Sequence, residues 1–263
     1  MSMNDAEVAI TAAEAGASIV RQRFGTALEV HAKEGDDFAT NADLEAEAVM
    51  LALLRRERPD DAVLGEESGR TGSHDAARTW LLDPLCGTVN YAVRMRVVAV
   101  NVALRAGAEL AAAAVTDPFN AETFWTDGAS AYLRTNGRDT PLAPNAKTRL
   151  VDLNLDPPFP NAPGFLAASL LADAAFIDAF RPRVVSSSMA LTWVASGQRA
   201  AYITDGDVRG SVHFAAGLAL AEAAGCVVTD LHGGAWGSGA GLVAAADAKV
   251  HSALLALIRK RLG

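Results

Sequence analysis

The sequence is poor in cysteine, in basic charge and in long apolar runs, and each shortage excludes something. Among 263 residues there are two cysteines, Cys86 and Cys226, with no C-x-x-C spacing. They build no disulfide framework, so a reducing, cytoplasmic setting is expected. Lysine and arginine number 23 against 31 aspartates and glutamates, a formal net charge of −8. Such a chain lacks the basic footprint of a nucleic-acid binder. No apolar stretch approaches the roughly 20 residues needed to cross a bilayer, so no membrane association is expected. Met1 to Ala17 carries Asp5, Glu7 and Glu14 where a signal peptide would have a basic start and an apolar run. Internal repeats are missing too. A phosphate substrate would meet an unfavourable overall field, so a local cation or helix N-terminus would have to reverse the sign.

What is present is a chain 51% hydrophobic, enough for a substantial core. Its length suits one large domain or two closely packed halves. Helical spacing of Val8, Ala12, Ala15 and Ile19 predicts a helix over Asn4–Phe24. A second is predicted over Ala42–Arg58, with Leu44, Val49, Leu51, Leu53 and Leu54 mostly facing inward and Pro59 as the stop. A short polar connection, Lys33–Asp37, lies between them. β-like runs follow at 62–64, 80–82, 97–104, 111–115, 123–125 and 131–134, the last meeting an Asn136-Gly137 hairpin turn. This first half reads as helices on an antiparallel sheet. The Pro/Asn-rich stretch 141–147 marks a boundary, giving an N-terminal α+β half, 1–145, and a C-terminal α/β half, 146–263, together one compact unit. The second half alternates: strands at 151–155, 200–204 and from 227, helices at 163–176, 188–196, 213–224 and 248–261.

Two acidic turns follow strand-like runs directly: Gly65-Glu66-Glu67-Ser68-Gly69 and Asp83-Pro84-Leu85-Cys86-Gly87-Thr88. Such turns hold short acidic side chains at one edge of a sheet. Carboxylates brought together there need a cation, since mutual repulsion would otherwise force protonation. Hard divalent ions with oxygen ligands meet that need. The competing reading is a pair of ordinary polar turns, and spacing alone does not separate the two.

The run Trp80-Leu81-Leu82-Asp83-Pro84-Leu85-Cys86-Gly87-Thr88-Val89-Asn90-Tyr91 resembles the inositol monophosphatase signature W-x-x-D-P-[ILV]-D-G-T-x-N-F/Y, in order and spacing. Gly65-Glu66-Glu67-Ser68 resembles that family's G-E-E-S, Thr40-Asn41-Ala42-Asp43 its T-x-x-D, and Lys33 its upstream lysine. His213-Phe214-Ala215-Ala216-Gly217, continuing to Glu222-Ala223-Ala224-Gly225, is similar to its W-D-x-A-A-G…E-A-G-G. The resemblance covers essentially the whole chain. It implies an αβαβα layered sandwich and a metal-dependent phosphomonoesterase acting on a small-molecule phosphate ester, a polyol or sugar phosphate. It implies one magnesium on Glu66, Asp83 and the Leu85 carbonyl. Asp43, Thr88 and Glu66 would be the catalytic residues, with Thr88 and Asp43 orienting the attacking water. Gly87 and Thr88 would hold phosphate at a helix start. Members of the family are often dimers, so a homodimer is a further expectation.

The pattern breaks at one place. The family's second magnesium takes three aspartates, and two of those positions are Cys86 and His213, with Val212 in place of tryptophan. Three readings stay open. The second site is lost, leaving a weak phosphatase or an impaired relative that binds a ligand or protein partner. Alternatively, Asp83, Cys86 and His213 take a softer divalent ion such as zinc, helped by a helix end that favours neutral imidazole. In the third reading, Cys86 and His213 are ordinary packing residues.

Other residues carry weaker signals. Ser186 and its neighbours Ser187 and Ser188 either contact substrate or cap the helix that follows. Asp205 falls near where the family holds a substrate hydroxyl, although a solvated loop suits it better. Substrate choice also admits histidinol phosphate or a nucleotide 3′-phosphate. Trp125, Trp193 and Trp236 read as packing residues.

Overall fold

The computed structural model describes residues 3–33, 37–155 and 167–262. The chain divides into two compact units. The first comprises Met1–Pro141, Ser187–Met189 and Val212–Leu220; the second comprises Leu142–Ser186, Ala190–Ser211 and Ala221–Gly263.

The first unit opens with helix α1 (Asp5–Arg23), the short strands β1 (Val30–Ala32) and β2 (Phe38–Thr40), and helix α2 (Asn41–Glu57). Strands β3 (Ala62–Gly65), β4 (Gly69–Thr71) and β5 (Arg78–Cys86) lead into the one-turn helix α3 (Thr88–Ala92). Strands β6 (Ala99–Ala106), β7 (Glu109–Asp117), β8 (Glu122–Thr126), β9 (Ala131–Thr135) and β10 (Arg138–Pro141) complete it. Eight of the strands form one sheet in the order β10-β9-β8-β7-β6-β5-β3-β4. The sheet is not wholly antiparallel as the sequence suggests: β3 turns back into β4 on its outer side, and residues 72–77 then carry the chain across to β5 on its inner side, so β5 runs parallel to β3. Between β9 and β10, Asn136 and Gly137 take φ of 53° and 71°, the left-handed pair that a two-residue hairpin turn needs.

Helix α1 starts on Asn4, whose side chain accepts from the Glu7 amide, with acidic residues in its first turn and Arg21 and Arg23 in its last. Its buried stripe includes Val8, Ala9, Ala12, Ala13, Ala17 and Val20, which pack in one core with Trp80, Leu82, Val100, Val102 and Leu104 of the sheet. Helix α2 turns in Ala42, Asp43, Ala46, Glu47, Met50, Leu51 and Leu54. Leu44, expected to face inward, is exposed. It lies one position beyond Asp43, and the chemistry of Asp43 and Glu47 sets the buried face instead. Tyr91 anchors α3 by donating its hydroxyl to the Val20 carbonyl at 2.7 Å.

The second unit contains β11 (Leu150–Asn154), α4 (Ala174–Ala179), β12 (Arg181–Val184), most of α5 (Met189–Ala195), β13 (Ala201–Thr204), the end of α6 (Val212–Ala223), β14 (Val227–Thr229), β15 (Leu242–Ala245) and α7 (Ala248–Leu262). Its sheet runs β12-β11-β13-β15-β14, with β11 parallel to both neighbours and β15 antiparallel to β13 and β14. The single helix expected over 163–176 is instead a 3₁₀ stretch, Ala167–Ala172, followed by α4. Asp173 interrupts it, because its carboxylate caps α4 by accepting from the Ala175 and Phe176 amides. Residues 163–166 of that expectation lie outside the described residues. No helix among the described residues is long and apolar enough to cross a membrane.

Candidate functional site

The site grows from an irregularity in β5. Asp83 pairs with Asn101 of β6 and Cys86 with Ala99, so three steps along β5 match two along β6. This is a β-bulge, and its cause is local. Pro84 has no N–H to give the ladder, and the Leu85 N–H turns back to Asp83 Oδ1 at 3.2 Å. In a regular strand, residues three apart point to opposite faces. The extra residue brings Asp83 and Cys86 to the same side. Leu85, fully buried, anchors the bulge.

Asp83 is fully buried. Its Oδ2 lies 2.8 Å from His213 Nδ1 and accepts from Asn101 Nδ2 at 3.2 Å. Asn101 is itself fixed by the Ser188 hydroxyl, 2.8 Å from its Nδ2. The Ser188 N–H points at Cys86 Sγ, 3.2 Å away. Asp83, Cys86 and His213 thus offer an oxygen, a sulfur and a ring nitrogen all within 4.8 Å of one another. All of these residues belong to the first unit, because Ser188 and His213 lie on the two later segments that join it.

The second acidic turn faces the same place. Glu66 Oε2 is 3.8 Å from His213 Nδ1, and Lys33 Nζ bridges Glu66 Oε1 at 3.0 Å and Glu67 Oε1 at 2.7 Å. Glu47, a residue that sequence reasoning missed, shapes this turn. Its carboxylate accepts from the Glu67 N–H at 2.9 Å and the Ser68 N–H at 2.7 Å. A side chain at Gly65 would meet that carboxylate at 2.7 Å, which is why glycine stands there. The available signal was that Glu47 lies one helical turn beyond Asp43 on the same face of α2.

Asp43 and Thr88 form a third part. Thr40 caps α2 by accepting from the Ala42 N–H, while its own N–H and hydroxyl donate to Asp43 Oδ2 at 2.8 and 2.6 Å. Thr88 Oγ1 stands 3.1 Å from Asp43 Oδ1 and 3.1 Å from the Leu85 carbonyl oxygen. Gly87, which precedes α3, takes φ of 100°, a conformation open to glycine at little strain. Ser186 and Asp205 belong to the second unit. Asp205 is buried there, with Oδ2 accepting from the Ala167 N–H at 2.9 Å.

These contacts shift the protonation of the cluster. Burial and then the Asp83 charge push Glu66 up to about 8. Burial also opposes ionisation of Asp83, but the His213 charge and hydrogen bond outweigh it and hold the carboxyl below the usual range. Burial disfavours a charged His213, yet Asp83 and Glu66 raise it well above its ordinary value. The expectation that the start of α6 keeps this imidazole neutral is therefore reversed in the metal-free protein: two nearby carboxylates outweigh a helix dipole. Burial and then the charge of Asp83 raise the Cys86 thiol. Burial raises Asp43 despite its hydrogen bonds.

The inositol monophosphatase family model matches residues 3–262. The chain belongs to the inositol monophosphatase family. Among individual relatives, it is 35% identical to an inositol-1-monophosphatase of Caulobacter vibrioides over 197 residues, covering 72% of this chain and 75% of that one. It is 32% identical to the Nus factor SuhB of Salmonella typhimurium over 97% of this chain and 96% of that one. The crystal structure of an extragenic suppressor protein suhB from Bartonella henselae shares the fold, with a TM-score of 0.83 and 24% identity, covering 97% and 98% of the two chains. The mixed α+β layered fold is therefore that of the family, whose members are phosphatase-type hydrolases that generally use magnesium.

The first unit suits such an ion on one side of Asp83. Glu66 Oε2 is buried and has no hydrogen-bond partner among the described residues. A buried carboxylate oxygen without a hydrogen bond beside a second carboxylate is a place for a hard cation. The Leu85 carbonyl, facing Thr88, is a third oxygen of the right kind. The other side of Asp83 does not suit magnesium, since thiol and imidazole are poor partners for it.

Proposed function

We propose that this protein is a metal-dependent phosphomonoesterase acting on a small polyol or sugar phosphate, with an altered second metal site. The observation that carries this reading is the buried Glu66–Asp83 pair, with Glu66 Oε2 left without a hydrogen bond. Magnesium held by Glu66, Asp83 and the Leu85 carbonyl would supply Lewis-acid stabilisation of charge on the phosphoryl group. It would also answer the net charge of −8, which otherwise repels a phosphate.

The chain's own residues handle the water. A water at Thr88 Oγ1 can give its proton to the hydroxyl as the hydroxyl gives its own to Asp43 Oδ1, 3.1 Å away. Asp43 suits the role of acceptor, because burial raises its basicity above that of an ordinary carboxylate. Thr40 holds the other oxygen, Oδ2, so that Oδ1 faces Thr88. Lys33 keeps Glu66 and Glu67 in place through two short ion pairs. Under this reading the Gly87 and Thr88 amides meet the phosphate.

One observation favours a competing reading. His213 engages the Asp83 carboxylate that a second magnesium would need, which suits an impaired relative that binds a ligand or protein partner. Phosphate release separates the two. The panel covers inositol and sugar phosphates, histidinol phosphate and nucleotide 3′-phosphates, each with magnesium, manganese or zinc. Magnesium-dependent release from a polyol or sugar phosphate is expected. Folded protein that releases no phosphate from any of them sinks the phosphatase reading.

A further inference from the structure

The magnesium half leaves Cys86 and His213 unused. They are placed with care, however. The bulge at Pro84 and Leu85 brings Cys86 round to Asp83, and α6 carries His213 to within 2.8 Å of the same carboxylate. Two of the three donors have an outer partner: Asn101 donates to Asp83 Oδ2, and the Ser188 N–H points at Cys86 Sγ. Outer contacts of this kind orient the ligands of metal sites.

We propose that Asp83, Cys86 and His213 form a resident site for a borderline divalent ion, zinc being the expected one. The inference deepens the phosphatase reading and rests on it for the role of the ion beside the magnesium position, but not for its binding. Sulfur, imidazole nitrogen and carboxylate oxygen are the donors zinc selects and magnesium avoids. Carboxylate and thiolate together bring a charge that matches a divalent ion. The spacing fits with small adjustments. Zinc bonds of about 2.0–2.3 Å set tetrahedral ligand separations of roughly 3.3–3.7 Å. Asp83 Oδ2 and His213 Nδ1, 2.8 Å apart, need to separate by roughly half an ångström, and no two donors lie more than 4.8 Å apart. Binding exchanges the proton between Asp83 and His213, and that of the Cys86 thiol, for the ion; both leave to solvent. Three protein donors leave a fourth position open. That is the arrangement of catalytic zinc sites rather than closed structural ones. His213 keeps 38% of its side chain exposed, so the position can be reached from solvent.

The test uses the full-length protein, stripped of metal and then given cobalt(II) or zinc(II) alone. Cobalt should produce a thiolate-to-metal charge-transfer band at one ion per chain, and zinc should displace it. Cys86→Ser should abolish the band. His213→Ala should weaken cobalt binding by more than about 100-fold, beyond the effect of losing an outer partner. Folding of each variant is checked by its melting temperature. Should either variant fail to fold, X-ray absorption of the zinc-loaded wild type replaces it, with one sulfur expected in the first shell. Folded protein with no band, a band that survives Cys86→Ser, or zinc without sulfur scattering each overturns the proposal. Phosphate release is scored separately under magnesium. The band without turnover removes the phosphatase reading and keeps the site; turnover without the band does the reverse.

Discussion

Asp83 stands between two halves of one centre, and the halves differ in chemistry rather than in scaffold. On one side, Glu66, the Leu85 carbonyl and the Lys33 bridge make a hard, oxygen-rich setting in which one Glu66 oxygen has no hydrogen bond. On the other, Cys86 and His213 offer sulfur and nitrogen within reach of the same carboxylate. The backbone that serves both is one piece: β5, its bulge and the turn into α3. The bulge would direct any side chain at position 86 toward Asp83. Scaffold and ligand chemistry are therefore separable here, and the magnesium half can stay intact while its neighbour changes.

The sharpest way to break this comparison is to remove what the halves share. Asp83→Asn keeps the shape but removes the common charge. It should lower phosphate release by at least about 100-fold and weaken both magnesium and cobalt binding, read by steady-state assay and metal titration. A fall in one affinity alone would mean that the halves do not share Asp83.

Thr88→Val should act on chemistry without touching either ion. A loss of about 100-fold in kcat is expected, with magnesium affinity unchanged. A matching loss of magnesium affinity would place the Thr88 hydroxyl in the metal site rather than beside the water.

The magnesium half should also show its own pH dependence. Glu66, pushed up to about 8, must lose its proton to bind the ion. Below that pH, magnesium affinity should rise about tenfold per pH unit and then level off, as isothermal titration would show. Stability runs the other way in the metal-free protein. Because the folded state raises this pKa, it holds a proton that the unfolded chain has released, so the Glu66 contribution falls as pH climbs from the ordinary glutamate range to about 8. Added magnesium should remove that fall. Lys33→Met should push Glu66 higher still, which lowers magnesium affinity near neutral pH by roughly tenfold for each unit gained. The cobalt band of the other half should survive.

The smallest effect belongs to the support of the acidic turn. Gly65→Ala sets a methyl against the Glu47 carboxylate, and the strain should cost about 1–3 kcal/mol, read as a lower melting temperature. An unchanged melting temperature would show that Glu47 moves aside freely.

Much of this was legible in the sequence. Periodicity marked α1 and α2, alternation of elements and the closing Gly225 placed α6 and α7, and Asn136-Gly137 marked the hairpin turn. The acidic turns pointed to a cation because their composition demands one. Other features were hidden for physical reasons. Strand β12 carries two arginines and a proline, and β15 is the short, uniformly apolar run Leu-Val-Ala-Ala, so neither shows an alternating strand pattern. The bulge depends on the pairing of β5 with β6, which no local signal except Pro84 announces. Asn101 and Ser188 act through a contact between residues 87 positions apart. The charge on His213 was misjudged because the helix end was visible in the sequence and the distance to Asp83 was not.

The two later segments that complete the first unit have a consequence for synthesis. Asp83 and His213 are 130 residues apart in the chain. At about 5–20 residues per second, a ribosome that has made the carboxylates needs on the order of ten seconds to deliver the imidazole. During that interval the chain carries Glu66 and Asp83 but not His213. Under the magnesium reading, a hard cation can reach Asp83 before the imidazole donor of the softer site exists. Metal titration of stalled chains ending before Val212 would check this order: magnesium uptake without a cobalt–thiolate band is the expected result.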